Sequence, residues 1–85
     1  MEEQKIGKIT HYYSHIGVGI IQIETGSLKV GDALHFKGHS TDFQQTVDSL
    51  QIEHRSVQEA KVGDLVGMKV NEHVREGDDV LQVVA

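Results

Sequence analysis

The 85-residue chain has no cysteine, no proline and no tryptophan, and each absence removes a class of structure or chemistry. Without cysteine there can be no disulfide framework, no zinc–thiolate site and no thiol nucleophile. Without proline, the turns depend on the nine glycines, which adopt backbone conformations closed to other residues. No apolar run approaches the roughly 18 residues of a membrane span. The first residues, MEEQK, lack the apolar stretch of a secretion signal. We therefore expect a cytoplasmic protein without membrane contact.

Basic residues are also scarce. The chain has 8 lysines and arginines against 13 aspartates and glutamates, which gives a net charge of −5, and no two basic residues are adjacent. A protein that binds along a nucleic-acid backbone needs a cluster of cations to displace counterions. We therefore expect no DNA binding. A local contact with the end of one RNA strand stays open, because it needs no extended basic surface.

The chain consists mainly of short segments rich in Ile, Val, Leu and Thr that are separated by glycines, a pattern typical of β-strands. Strands are predicted at 5–13, 17–23, 33–37, 46–54, 65–70 and 80–84. The fourth needs a bulge or twist, because Val47 is out of phase with Leu50 and Ile52. Segment 38–44 is predicted as a loop, and SVQEAK as at most one helical turn. The prediction is an all-β fold: one domain over 1–85 with a core at 5–84, built as a small six-stranded antiparallel closed β-barrel.

Three Gly-Asp steps each precede a predicted strand. K-V-G-D occurs at 29–32 and again at 61–64, and E-G-D occurs at 76–78. Glycine adopts a positive φ at low cost, and an aspartate can accept a hydrogen bond from its own turn. We expect structural turns at Gly26, at Gly31 with Asp32, and at Gly77 with Asp78.

Catalytic and metal sites are weakly supported by the sequence. Six histidines invite a metal hypothesis, and His11/His15 and His35/His39 are each four residues apart. That spacing aligns ligands on a helix, whereas these segments are predicted as strands that run into loops. Ser14 and His15 are sequence neighbours, which point to opposite faces of a strand and so do not suggest a catalytic pair. We predict a non-enzymatic protein with no metal and no cofactor, and a metal-binding role is the least favoured hypothesis.

The order of the motifs resembles that of the second domain of translational GTPases such as elongation factor Tu. The resemblance extends over about residues 6–84. In that family the domain is a six-stranded barrel that helps to seat the aminoacyl end of tRNA. The matching residues are Glu24, Thr25, Gly26, Leu28, Lys29, Gly31 and Asp32, then His54, Val57, Ala60, Gly63, Asp64, Val66 and Gly67, and finally Arg75, Gly77 and Val80.

The resemblance implies a site at the second K-V-G-D step. In the family, the acidic residue of this step lies close to the terminal adenosine of tRNA. Carried over by position, that residue is Asp64. The RNA-end-binding candidates are Gly63, Asp64, Val66, Gly67 and His54. The pattern departs from the family at Leu65, which replaces an asparagine, and in the lack of a Gly-Arg pair, of a long basic loop and of a GTPase domain.

A second resemblance is to accessory carboxyl-terminal barrels of collagenase-like peptidases and tRNA-hydroxylation proteins, through IGKITHYY and KVGDALHF. Both groups use the barrel for binding. Two hypotheses follow. In the first, the chain is a translation elongation factor-like module that contacts the tRNA end or the translation machinery. In the second, it is a protein-interaction barrel that docks to a separately encoded enzyme or GTPase.

Overall fold

A computed structural model describes residues 2–84, and these residues form ten β-strands and no helix. The all-β prediction is confirmed. No helix that could cross a membrane occurs in this part of the chain. The strands are β1 (Glu2–Tyr13), β2 (Val18–Ile23), β3 (Ser27–Lys29), β4 (Ala33–Lys37), β5 (Asp42–Thr46), β6 (Leu50–Ile52), β7 (Arg55–Val57), β8 (Glu59–Lys61), β9 (Leu65–Lys69) and β10 (Asp79–Val84).

Eight of the strands form one antiparallel sheet in the order β5-β4-β10-β1-β2-β9-β6-β7, and β3 pairs with β8 apart from it. Within residues 2–84 no ladder joins the edge strands β5 and β7. The predicted six-stranded closed barrel is therefore not confirmed. The Gln45 side chain bridges part of the gap between the edge strand β5 and the chain after β9. Its Nε2 donates to the Lys69 carbonyl at 2.9 Å, and its Oε1 accepts from the Asn71 N–H at 2.7 Å. A side chain thus connects β5 to the end of β9 where no backbone ladder does.

The inner face of the strands encloses one continuous apolar core. In β4 the alternation is regular: Leu34 and Phe36 are buried, and Lys37 is exposed. The Phe36 ring stacks on Phe43 of β5 with centroids 5.0 Å apart. The buried apolar residues are Ile6, Ile9, Ile21, Ile23, Leu28, Leu34, Phe36, Phe43, Val47, Leu50, Ala60, Val66, Met68, Val70, Val74 and Val80.

Strand β1 connects the two halves of the sheet. Its first residues pair with β10 and its last residues pair with β2, and the register shifts twice, between Lys5 and Gly7 and between Ile9 and His11. Such irregularities bend a strand and increase its twist. Gly7 is needed at the first shift, because a Cβ there would lie 2.1 Å from the Gln22 carbonyl oxygen.

Three parts of the predicted strand pattern are wrong. Segment 46–54 is not one strand: β5 ends at Thr46, β6 begins at Leu50, and Val47 between them bonds to the turn before β4. The predicted loop at 38–44 contains the start of β5, with Phe43 in the core. SVQEAK contains no helical turn, since it spans the end of β7 and all of β8. Strands β6, β7 and β8 have three residues each, which is too short for alternation to identify them in the sequence.

Candidate functional site

The second K-V-G-D step forms the turn between β8 and β9. Gly63 has a φ of 93°, and the Asp64 carboxylate accepts a hydrogen bond from the Lys61 N–H at 2.8 Å. The same bond occurs in the other two Gly-Asp turns, where Asp32 accepts from Lys29 at 2.9 Å and Asp78 accepts from Arg75 at 2.8 Å. All three aspartates therefore cap their own turns, and the cap is not particular to Asp64. The glycines at the turn positions also have positive φ: Gly26 at 69°, Gly31 at 98° and Gly77 at 89°.

The three turn carboxylates differ in their other contacts. Asp32 also accepts from the Gln82 amide at 2.8 Å, which ties its turn to β10. Asp78 is buried, and a Cβ on Gly38 would lie 2.0 Å from its Oδ1. Among the described residues, the Asp64 carboxylate makes a hydrogen bond only to the Lys61 N–H of its own turn. Its carboxylate is therefore the one of the three that is most available to a ligand.

The other candidates from the sequence occupy different faces of the sheet. Val66 is fully buried in the core, so its side chain does not reach the surface. Gly67, on the same strand, faces outward and pairs with Ile20. His54 lies in the turn after β6 with a φ of 65°. The structure brings Gly67 and His54 together in one groove, whereas Val66 lies beneath it.

This outer groove has a volume of about 780 Å³. It crosses the outer face of β1, β2, β9 and β6, and its most exposed apolar side chains are Ile16 (61% exposed), Leu65 (54%) and Tyr13 (50%). The lining residues are Thr10, His11, Tyr13, Ile16, Val18, Ile20, Gln22, Gln51, Glu53, His54, Leu65 and Gly67.

The local sequence explains why the groove is apolar. In β2, Ile21 and Ile23 face the core, and the alternation turns Val18 and Ile20 outward although they too are apolar. Gly67 keeps the floor low, since a Cβ there would contact Ile20 Cδ1 at 3.4 Å. The outer face of this half of the sheet is therefore apolar, where a solvent-facing strand normally carries polar side chains.

The rim of the groove is polar, and no lysine or arginine is among its lining residues. Lys69 lies just beyond it, in an adjoining hollow that shares part of the groove's lining. The His11 ring stacks on Tyr13 with centroids 6.3 Å apart, and its Nδ1 lies 3.5 Å from the Glu76 carboxylate. Gln22, Gln51 and Glu53 complete this rim. A surface of this kind favours an apolar or aromatic group with hydrogen-bonding edges, and Lys69 is the nearest cation among the residues of the two adjoining hollows.

A second polar group lies on the outer face of the other half of the sheet. The two ring nitrogens of His35 each meet a carboxylate at 2.5 Å: Nδ1 meets Glu3 of β1, and Nε2 meets Asp42 of β5. The hydrogen bond to Asp42, helped by Glu3, raises the pKa of His35 above its ordinary value, against the opposing effect of burial. The bond to His35 lowers the pKa of Asp42. We call these three residues the His35 cluster.

Within residues 2–84, no group of three or more histidines and carboxylates is arranged to hold a metal ion. The apolar residues of the groove, Tyr13, Ile16 and Leu65, were not among the site residues predicted from the sequence. One signal for them was present: Leu65 stands where the translation-factor pattern has an asparagine, so an apolar side chain replaces a polar one at an outward position.

Comparisons with known proteins support the second resemblance more strongly than the first. The C-terminal domain of a Geobacillus thermoleovorans protein assigned to the U32 peptidases superposes with a TM-score of 0.88 at 18% identity, over 95% of this chain and 93% of that one. This chain has that domain's fold. No family model matches the chain.

Sequence relatives include peptidases and translation factors. An uncharacterized protease of Methanocaldococcus jannaschii is 39% identical over 77 residues, 89% of this chain and 19% of the relative. A Porphyromonas gingivalis collagenase is 34% identical over 74 residues, 86% of this chain and 20% of the relative. Elongation factor 1-alpha of Pyrococcus horikoshii is 42% identical over 69 residues, 73% of this chain and 16% of the relative. The chain thus spans about a fifth or less of the length of these relatives.

Proposed function

We propose that this chain is a non-catalytic accessory domain that docks onto a U32-type peptidase chain through the outer groove. The proposal rests on the groove, in which apolar side chains stay exposed because no other part of the described chain covers them. The partner is suggested by the relatives, in which about four-fifths of the protease chain lies outside the matched region. A domain that accompanies a larger chain is expected to present a surface to it.

The groove is suited to a protein partner by its chemistry. Complete burial of a Leu or Ile side chain contributes about 1.5–3 kcal/mol, so covering the half-exposed Ile16, Leu65 and Tyr13 would yield a few kcal/mol. Aromatic and large aliphatic groups at the centre, with a polar rim, are typical of the part of an interface that dominates affinity. Gln22, Gln51 and His54 supply hydrogen-bonding groups at the edge.

A second candidate function is binding of the aminoacyl end of tRNA, as the first resemblance implies. It is favoured by the identity to elongation factor 1-alpha and by the position of Gly67 and His54 in the same groove. It is disfavoured by the net charge of −5 and by the lack of a lysine or arginine in the groove lining. RNA affinity rests largely on phosphate contacts with such residues.

The test is a titration of the chain against a U32-type peptidase that lacks its own C-terminal domain, measured by isothermal calorimetry. Leu65→Ser and Ile16→Ser should each weaken binding by about tenfold or more, since each replaces an apolar groove side chain that is more than half exposed. Val62→Ser is the matched control, because Val62 is 59% exposed but lies outside the groove. It should bind as the wild-type chain does.

Two results would overturn the proposal: no complex at a protein concentration of tens of micromolar, or equal binding by the groove variants and the wild type. A parallel titration with charged tRNA addresses the second candidate. Saturable binding that Asp64→Ala weakens would support that candidate in place of peptidase docking.

A further inference from the structure

The His35 cluster has a geometry that only one protonation state satisfies. A neutral imidazole has one N–H, whereas an ionised carboxylate can only accept. Both ring nitrogens of His35 lie 2.5 Å from carboxylate oxygens, of Glu3 on one side and Asp42 on the other. Two carboxylates therefore require two N–H donors, which is the charged imidazolium. Loss of its proton would leave a nitrogen lone pair facing one of the two carboxylates.

The cluster joins strands that are otherwise weakly connected at this point. Glu3 lies in the first part of β1, where the strand pairs with β10 alone, since its pairing with β2 begins at Gly7. The pairing of β10 with β4 ends at Gln82, one residue before Val83, the register partner of Glu3. Glu2 and Glu3 thus form a two-stranded ribbon with residues 83–84 at the margin of the sheet. From residue 4 onward β1 belongs to a three-stranded part, because its partners on β10 also pair with β4. Two-stranded ribbons have little stability of their own.

We propose that the His35 cluster is a pH-dependent latch, which holds the start of β1 at Glu2 and Glu3 against β4 and β5 while His35 is charged and releases it when His35 becomes neutral. The Glu3–His35 bond is the side-chain link from the ribbon to β4, and the His35–Asp42 bond extends it to β5. The latch is independent of whatever the outer groove binds, because none of its three residues lines that groove.

The other charged groups around His35 leave this arrangement intact. On β10, the residue opposite His35 is the apolar Leu81, and Asp79 further along binds Lys5 at 3.1 Å. On its own strand, Lys37 lies two residues away and acts on Asp42, whose carboxylate it further favours. On β5, the register partner of His35 is the uncharged Gln44. Glu3 and Asp42 are thus the charges that decide the proton on His35.

The direction of the pH dependence follows from the two pKa shifts. The pKa of His35 is raised from 6.5, so its stabilising contribution is complete below that value and is lost as the pH rises through the raised pKa. The pKa of Asp42 is lowered from 3.8, so its contribution is present above that value and is lost as the pH falls through the lowered pKa. The latch is therefore closed between these limits and opens on the alkaline side.

The test combines histidine titration by NMR with amide hydrogen exchange at several pH values. In the wild type, the pKa of His35 should lie above its ordinary value of 6.5. Protection factors of the hydrogen-bonded amides in residues 2–3 and 83–84 should fall about two- to fivefold as His35 loses its proton, the range for a partly exposed ion pair. Asp42→Asn and Glu3→Gln should each lower the pKa of His35, and His35→Gln should abolish the pH dependence of protection.

His15→Gln is the matched control, since it removes an exposed histidine from the turn between β1 and β2 and should leave the pH dependence of protection unchanged. An ordinary pKa for His35 in the wild type would overturn the proposal. So would protection of residues 2–3 that stays constant through the titration of His35, or that changes equally in the His35→Gln variant.

Discussion

The two halves of the outer face of the sheet differ in how their side chains are satisfied. On the half formed by β10, β4 and β5, the His35 side chain is only 13% exposed, and both of its nitrogens contact carboxylates of the same chain. On the half formed by β1, β2, β9 and β6, apolar side chains such as Ile16 and Leu65 remain more than half exposed. One half completes its polar contacts within the chain, and the other half leaves apolar side chains exposed.

Both halves share one core, so the contrast does not arise from differences in folding stability. Phe36 and Phe43 lie beneath the first half, and Ile21 and Val66 lie beneath the second, all within one buried cluster. The exposed apolar groups of the groove are therefore not a deficiency of core formation. A surface of this kind on an otherwise well-packed domain marks a place of interaction.

The largest expected effect comes from Gly7, on the strand that joins the two halves. Gly7→Ala places a Cβ 2.1 Å from the Gln22 carbonyl oxygen, and backbone atoms cannot move aside cheaply. We expect a loss of about 3 kcal/mol in the free energy of unfolding, measured by urea denaturation. A chain of this size has a total of about 5–10 kcal/mol.

Gly67→Ala is the matched control in the groove half. Its Cβ would approach Ile20 Cδ1 to 3.4 Å, which is an ordinary contact, so we expect a change below about 1 kcal/mol. The same methyl group would raise the floor of the groove and weaken docking. Equal losses of stability in the two variants would contradict the distinction between a structural glycine and one that shapes the groove.

A smaller, graded effect is expected at the three Gly-Asp turns. Asp78→Ala should lower the free energy of unfolding by about 2 kcal/mol, because it removes a buried carboxylate and leaves the Arg75 N–H without its partner. Asp32→Ala should cost about 1–2 kcal/mol through the turn bond and the Gln82 contact, and Asp64→Ala about 1 kcal/mol or less through the turn bond alone. Thermal and urea unfolding would measure the series, with the exposed Asp48→Ala as control. A cost at Asp64 larger than at Asp78 would contradict the ranking.

The sequence predicted β4 because its alternation is regular. Leu34 and Phe36 are buried and alternate with the polar His35 and Lys37. The start of β5 was missed because Gln45 faces inward, where alternation requires an apolar residue. Its amide is satisfied by Lys69 and Asn71, which lie more than 20 residues away in the chain, and no local pattern contains that contact.

The candidate site was less predictable than the fold for the same reason. The groove depends on the register of β1, β2 and β9. Through this register Ile16 and Leu65, which are distant in the sequence, line the same groove. The His35 cluster likewise joins residues 3, 35 and 42 through a register that local composition does not specify. The Gly-Asp repeat can be recognised in the sequence because its residues are neighbours in the chain. In the structure it forms three capped turns, and Asp64 differs from the others mainly in having fewer contacts.

The most direct measurement of the central claim is amide hydrogen exchange on the chain with and without the truncated U32-type peptidase. If the groove is the docking surface, exchange should slow in β2, β9 and the turn that contains Ile16, while residues around Asp42 exchange as in the free chain. Slower exchange around Asp42, with unchanged exchange in the groove residues, would contradict the account. The partner would then cover the half of the sheet whose polar side chains already bond within the chain.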